Sequence, residues 1–223
     1  MKQGAKTKAE RIFIPGLAGQ LEALLEWDPK LTSRAATLVC HPHPAYGGPM
    51  HNKVVFRAAK AALQAGMPAL RFNFRGVDKS AGIFARGIGE REDVRAALDF
   101  LAARFPDVPI CLIGFSFGAW VGLEVGAFDA RVAALVGLGM PALSTDLSFL
   151  QSTTKPKLIV QGTRDEPGPC ARVALLFASL PEPKRLHWVE STDHFFTGKL
   201  EEVQGAVRAF LEELPVAALG QKN

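Results

Sequence analysis

The sequence has few cysteines and no long apolar run, and these two deficits narrow the class of protein. Only three of its 223 residues are cysteine, and Cys40, Cys111 and Cys170 lack the spacing of a metal site or a disulfide framework. Cys40 and Cys111 lie in apolar, strand-like runs, which is typical of small buried residues. No stretch reaches the roughly 18 apolar residues of a membrane span, and the first residues lack the apolar core of a signal peptide. We therefore expect a cytoplasmic protein without a membrane span.

The chain also has no large excess of charge of one sign. The net charge is only +4, and part of it lies in the first eleven residues as Lys2, Lys6, Lys8 and Arg11. Nucleic-acid-binding faces interleave basic and aromatic residues in one patch, and no such patch occurs here. We predict a flexible basic N-terminus over residues 1–10 and no nucleic acid partner.

Length and composition are those of one globular domain. Hydrophobic residues make up 48% of the chain and charged residues 22%, which are ordinary values for such a protein. Folds of the α/β class often exceed 200 residues as a single unit. We predict one domain over residues 11–215 and a loose C-terminal tail over residues 216–223.

Short apolar runs alternate with helical patterns along this domain. Aliphatic and β-branched runs predict eight strands, at residues 11–16, 21–27, 36–41, 68–74, 110–116, 133–140, 157–162 and 185–190. Helical spacing predicts helices at residues 51–65, 90–104, 117–127, 169–180 and 200–214. Such alternation predicts an α/β fold with a mostly parallel central sheet of about eight strands and helices on both faces.

Three polar residues with complementary chemistry stand at the ends of predicted strands. Ser116 ends the fifth strand, Asp165 follows the seventh, and His194 follows the eighth. Ligands of parallel sheets bind beyond the carboxyl ends of the strands. The chain order serine, acid, histidine is that of hydrolases whose serine lies on a strand–turn–helix elbow.

Four short motifs carry a resemblance to a known family. They are HPHP (residues 41–44), GFSFG (114–118), TRDE (163–166) and DHFF (193–196). Together they resemble the α/β-hydrolase superfamily and, within it, the small lidless hydrolases related to dienelactone hydrolase, over residues 12–214. The resemblance implies a single-domain α/β-hydrolase fold. Residues 141–155 are too few for a large cap domain, so we expect an open site.

The predicted catalytic residues are Ser116, Asp165 and His194. A serine hydroxyl needs a base within hydrogen-bonding reach, which His194 would supply, while Asp165 would orient the imidazole. Each residue has an alternative. Ser116 fits an ordinary helix N-cap, Glu166 neighbours Asp165, and His187 is a second histidine, inside the predicted eighth strand.

An oxyanion hole requires two backbone N–H groups. Phe117, which follows the serine, would supply one. The prolines of the HPHP loop have no N–H, which leaves His43, Ala45 and Tyr46 for the second. The resemblance favours His43.

Further residues at turns and strand ends are candidates for the substrate pocket. We expect Tyr46, Met140 and Phe195 to line it. Arg75 would either clamp a substrate carboxylate or pair with a nearby acid, and the structural role is favoured.

The pair His41 and His43 also fits a metal site, because His-x-His can bind metal. No cysteine or carboxylate accompanies the pair locally. We therefore predict no metal and no organic cofactor.

The sequence thus predicts a serine hydrolase that cleaves a small or flexible carboxylic ester or thioester through an acyl-enzyme. Its partner would be a small-molecule ester or acyl substrate. A peptidase or thioesterase with the same residues, and a non-catalytic binding module on the same scaffold, stay open as alternatives. A homodimer is compatible with the sequence.

Overall fold

Eight strands form a single sheet in the computed structural model, which describes residues 7–106 and 108–215. The strands are β1 (Lys8–Gly16), β2 (Gly19–Trp27), β3 (Ala36–Cys40), β4 (Ala69–Phe72), β5 (Ile110–Phe115), β6 (Val132–Leu138), β7 (Lys157–Gly162) and β8 (Lys184–Val189). Their order across the sheet is β1-β2-β4-β3-β5-β6-β7-β8. Among the described strands, only β1 with β2 and β2 with β4 pair antiparallel. The predicted mostly parallel sheet is confirmed.

Helices cover both faces of this sheet, as predicted. They are α1 (Lys53–Gln64), α2 (Ile88–Arg104), α3 (Phe117–Phe128), α4 (Cys170–Ser179) and α5 (Leu200–Glu213). Residues of α2, α3 and α4 pack in one apolar cluster with Leu112 of β5. Residues of α1 and α5 pack in the other cluster with Ile113, the next residue of the same strand. Because successive side chains of a strand point to opposite faces, both must be apolar, and the run lacks polar alternation.

The first strand corrects one predicted boundary. Lys8 pairs with Trp27 at the start of the hairpin between β1 and β2. Residues 8–10 are therefore strand and not part of a flexible basic N-terminus. These residues are exposed, so the edge strand has no apolar signal here, and charged residues are common on such edges. Residues 1–6 of the predicted N-terminal segment and the predicted tail, residues 216–223, lie outside the described residues.

The connection between β6 and β7 bears on access to the site. It contains one short 3₁₀ helix, Ser148–Ser152, and no large cap domain in the part of the chain that the structure describes. No helix among the described residues is both long and apolar enough to cross a membrane.

Two of the free cysteines lie in the core, as expected. Cys40 and Cys111 are fully buried, and burial raises the pKa of the Cys111 thiol to about 12. Both therefore act as small apolar residues.

Candidate active site

Ser116 lies on a sharp turn between β5 and α3. Its backbone has φ 54° and ψ −116°, a region that residues with a side chain rarely adopt. The flanking glycines permit the turn, because a Cβ on Gly114 would lie 2.3 Å from the Gly118 carbonyl oxygen and one on Gly118 would lie 2.4 Å from that of Cys40. The serine amide donates to the Leu138 carbonyl oxygen at 2.9 Å, which ties the turn to β6. This geometry presents the serine hydroxyl beyond the carboxyl edge of the sheet.

The three residues predicted from the strand ends lie in one hydrogen-bonded chain. The Ser116 Oγ lies 2.8 Å from His194 Nε2, and His194 Nδ1 lies 2.8 Å from Asp165 Oδ2. Because a carboxylate only accepts, Nδ1 is the donor and Nε2 is left to accept from the serine hydroxyl. Ser116 makes no capping bond to α3 with its side chain, which argues against the simple N-cap interpretation.

The alternative residues lie elsewhere. Glu166 is exposed at the rim of the cleft over Ser116. The Nε2 of His187 in β8 lies 3.2 Å from the Oε1 of Glu202 in α5. Neither residue bonds to Ser116 or His194 among the described contacts.

The Asp165 carboxylate is buried and held on both oxygens. Its Oδ1 accepts from the Gly168 amide at 2.8 Å, and its Oδ2 accepts from Gln161 Nε2 at 2.7 Å as well as from His194. The Gln161 side chain is fully buried, and its Oε1 accepts from the Met140 amide at 2.7 Å. Three donors therefore fix the carboxylate toward the imidazole.

Sequence reasoning missed Gln161. It directly follows the apolar residues LIV of β7, whose sequence is KLIVQG. A buried polar side chain requires a hydrogen-bonding partner, and its position four residues before an acid was a signal that could have identified it.

The HPHP loop is tied to the neighbouring strand end by His41. This fully buried side chain accepts from the Phe74 amide through Nε2 at 2.9 Å, and its Nδ1 lies 2.7 Å from the Pro42 carbonyl oxygen. Nε2 is an acceptor, so Nδ1 carries the hydrogen and the ring is neutral. Burial lowers the pKa of His41 to about 4. The ring thus holds the loop in place and has no free nitrogen for a metal.

The amides of the loop differ in what they bind. The Ala45 amide donates to His43 Nδ1 and the Tyr46 amide to the His43 carbonyl oxygen, both at 3.1 Å. The His43 amide has no acceptor among the described residues. Phe117 is the first residue of α3, where a helix leaves its N–H groups unpaired. The rings of His43 and Phe117 are in contact, 5.1 Å between centroids, which brings the two segments together.

A cleft of about 950 Å³ opens above Ser116. The predicted pocket residues Tyr46 and Phe195 line it, with exposed fractions of 84% and 53%. The cleft is also lined by residues that the sequence did not single out as pocket residues, among them Asn52, Phe84, Arg86, Trp120, Ser144, Thr145 and Arg164.

Two predicted pocket residues do not line the cleft. Met140 is fully buried, and its sulfur lies 2.3 Å from the place a Cβ on Gly137 would take. The preceding residue, Gly139, has a φ of 54°, and the turn there directs the side chain into the core. Arg75 forms a bidentate ion pair with the buried Asp93, with nitrogen–oxygen distances of 2.7–3.1 Å. The structural role of Arg75 is therefore the correct one of the two.

Side chains that could bind a metal ion do not cluster among the described residues. Within residues 7–106 and 108–215, no three side chains of histidine, cysteine, aspartate or glutamate lie close enough together to hold a metal ion.

Comparison with known proteins gives the family. Residues 35–208 match the model of the alpha/beta hydrolase domain. An uncharacterized protein of Rickettsia prowazekii is 35% identical over 212 residues, which cover 90% of this chain and 88% of that protein.

Two solved structures are similar in both sequence and fold. One is an α/β serine hydrolase without a lid from Xanthomonas campestris, with a TM-score of 0.85 and 34% identity over 92% of this chain and 94% of that one. The other is an α/β serine hydrolase homologue from Coxiella burnetii, with a TM-score of 0.84 and 37% identity over 90% of this chain and 96% of that one. The chain therefore belongs to the α/β-hydrolase family and is a serine hydrolase.

Proposed function

We propose that this serine hydrolase cleaves small or flexible carboxylic esters or thioesters through an acyl-enzyme on Ser116. The observation that carries the proposal is the chain of two 2.8 Å contacts from Ser116 through His194 to Asp165. It begins at a serine with strained backbone torsions, and strain of this kind is concentrated at functional sites.

In the first step, Ser116 Oγ attacks the carbonyl carbon of the ester while its proton moves to His194 Nε2. The tetrahedral intermediate then breaks the bond to the leaving oxygen or sulfur, which takes the proton from His194. A water molecule repeats the sequence on the acyl-enzyme, gives its proton to Nε2, and releases the acid and Ser116. Asp165 keeps the imidazole in the required tautomer and stabilises its charged form.

The charge that develops on the carbonyl oxygen requires donors. The amides of Phe117 and His43 are the ones we assign, since those of Ala45 and Tyr46 bond within the loop. The N-terminus of α3 adds its positive end to the same place. Such preorganised donors contribute about 3 kcal/mol each to the transition state.

The cleft supports a small or flexible substrate. It is open, with a volume of about 950 Å³, and aromatic rings such as Phe84 and Trp120 line it. Apolar and aromatic walls, combined with polar groups that orient the ligand, are typical of sites for small organic molecules. We therefore assign a small-molecule ester or acyl substrate as the partner of this site.

A panel of leaving groups tests the proposal. We expect the wild type to hydrolyse p-nitrophenyl acetate, p-nitrophenyl butyrate and a butyryl thioester well above the buffer rate, and the matching p-nitroanilides at least a hundredfold more slowly. Ser116→Ala is expected to abolish this activity. Ser144→Ala, a serine that lines the same cleft, is the matched control and should keep it.

The opposite pattern would overturn the proposal in a defined way. Faster cleavage of the anilides would favour the peptidase alternative. No turnover of any substrate by the folded wild type would favour a binding module.

The location in the cytoplasm and a homodimer stay predictions from the sequence. Cell fractionation tests the first, and sedimentation of the purified protein tests the second.

A further inference from the structure

The cleft over Ser116 has a neighbour. A second cavity of about 340 Å³ lies beside it, and the two share Trp120, Ser144 and Thr145 in their walls. Arg91, Glu124, Asp146, Ser148 and Phe149 complete the lining of the second cavity. Trp120 therefore stands between a cavity that contains the serine nucleophile and one that the proposed mechanism does not use.

The Trp120 indole is held on several sides. A Cβ on Gly87 would lie 2.8 Å from two of its ring atoms. The Arg91 guanidinium lies 5.1 Å from the ring centroid, in a cation–π contact. The Phe117 ring packs edge-on, 5.8 Å between centroids. The indole is therefore a fixed wall and not a loose side chain at the rim.

The groups that hold the indole are themselves fixed. Arg91 donates to Glu124 Oε2 at 2.5 Å and to the Gly87 carbonyl oxygen at 2.6 Å. The Gly87 amide in turn donates to Glu90 Oε2 at 2.7 Å. The start of α2 and the first turns of α3 thus clamp Trp120 from both ends.

Trp120 is also close to the reacting atom along the chain. It lies four residues after Ser116, about one helical turn, which corresponds to about 6 Å along the axis of α3. A chain of a few carbon atoms that extends from the acylated serine along this helix would reach the indole.

We propose that Trp120 is a specificity-determining residue that limits the length of the substrate, and that its indole separates the substrate site from the second cavity, which would extend that site. The inference rests on the proposed ester hydrolysis and names its substrate class. The native site would take esters with short aliphatic or aromatic groups. A site without the Trp120 indole would admit longer chains and polar chain ends, because the second cavity carries charged and hydroxyl side chains.

The first test is a chain-length series. The quantity measured is kcat/KM for p-nitrophenyl octanoate divided by that for p-nitrophenyl acetate, in the wild type, Trp120→Ala and Trp120→Phe. We expect this ratio to rise at least tenfold in Trp120→Ala and less than threefold in Trp120→Phe. A parallel series of ethyl, butyl and octyl acetates, followed by acid release, covers the case in which the alcohol part faces the indole. A rise in either series supports the inference, and no rise in both overturns it.

A second variant moves the indole without removing it. Gly87→Ala places a methyl group against the ring, so the ring must shift, and we expect the length ratio to change at least threefold. Gly66→Ala is the matched control for backbone strain, since Gly66 has a φ of 77° against 90° for Gly87 and its Cβ would lie no closer than 3.8 Å to Leu31. The control should leave the ratio unchanged.

Labelling with a fluorophosphonate in the same samples distinguishes a failure of the role of Trp120 from a failure of the proposed ester hydrolysis. Variants that are labelled but keep the wild-type ratio overturn the role of Trp120 alone. A folded wild type that is not labelled overturns the proposed ester hydrolysis, and the inference falls with it. Thermal unfolding of each variant shows that it is folded before its ratio is read.

Discussion

The floor of the cleft and its rim are built in opposite ways. On the floor, the Asp165 carboxylate accepts three hydrogen bonds, and its partner His194 is held between it and Ser116. On the rim, Tyr46 and Phe195 are mostly exposed. The comparison teaches that the fold specifies the position of the reacting groups closely and leaves the outer rim of the cleft open to change.

The largest expected effect falls on the floor. Asp165→Asn would place an amide against His194 Nδ1 and favour the wrong imidazole tautomer, so we expect kcat to fall by about four orders of magnitude with the fold intact. Steady-state kinetics on p-nitrophenyl butyrate measures it. Glu166→Gln, at the neighbouring exposed carboxylate, is the control and should lose less than threefold. Equal losses in the two variants would contradict the assignment of Asp165.

The next largest effect concerns stability and tests His41, the buried side chain that holds the HPHP loop. The pKa of His41 is about 4 in the folded protein against an ordinary value of 6.5, so the unfolded chain binds the extra proton first. The contribution of neutral His41 to the free energy of unfolding is therefore complete above about pH 6.5. It is lost as the pH drops toward 4, by about 3 kcal/mol at most. Urea unfolding at several pH values measures this slope.

His41→Gln removes the titrating group and identifies its share of the slope. We expect the variant to be less stable than the wild type at pH 7 and to lose less stability between pH 6.5 and pH 4.5. A variant with the full wild-type slope would show that other groups cause it.

A smaller loss is expected at Gln161, which touches no substrate. Gln161→Leu removes one donor to Asp165 and should lower kcat about tenfold with little change in KM. Gln161→Glu places a second carboxyl group against Asp165, and its activity relative to the wild type should rise as the pH falls, because a protonated glutamate can donate again.

A remote buried glutamine provides the control for Gln161. Gln204→Leu removes a side chain that bonds to Arg57 and Gln64, far from the serine. It should lower stability and leave kcat unchanged. If Gln161→Leu behaves in the same way, Gln161 has only a structural role.

The smallest effect belongs to the rim. Tyr46→Phe and Phe195→Leu should change kcat/KM for p-nitrophenyl acetate less than threefold, since neither residue bonds to the reacting groups. Activity assays and thermal unfolding together measure this. A loss above a hundredfold from either change would break the distinction between floor and rim.

The sequence predicted the parts of the molecule that follow from local pattern. Residues 157–162 form the strand β7, with the bounds that the apolar run indicated, and the carboxyl ends of parallel strands bring Ser116, Asp165 and His194 to one edge. Features that depend on a distant partner were not readable. The start of β1 at Lys8 is defined by pairing with β2 and has no apolar signal.

The direction of side chains at strand ends was the other feature that could not be predicted from the sequence. Met140 was expected in the pocket, but the backbone turn at Gly139 directs it into the core. Arg75 was given two roles, and only the fold shows Asp93, eighteen residues later, within 2.7 Å of it. Local pattern specifies which residues are near a strand end and not which way they face.

The central claim is that Ser116 is an activated nucleophile, and intact-mass analysis after fluorophosphonate treatment tests it most directly. We predict one adduct on the wild type, mapped to Ser116 by peptide sequencing, the same adduct on Ser144→Ala, and none on Ser116→Ala. A folded wild type that gains no adduct at neutral and mildly alkaline pH, or that gains it on another residue, would contradict the account.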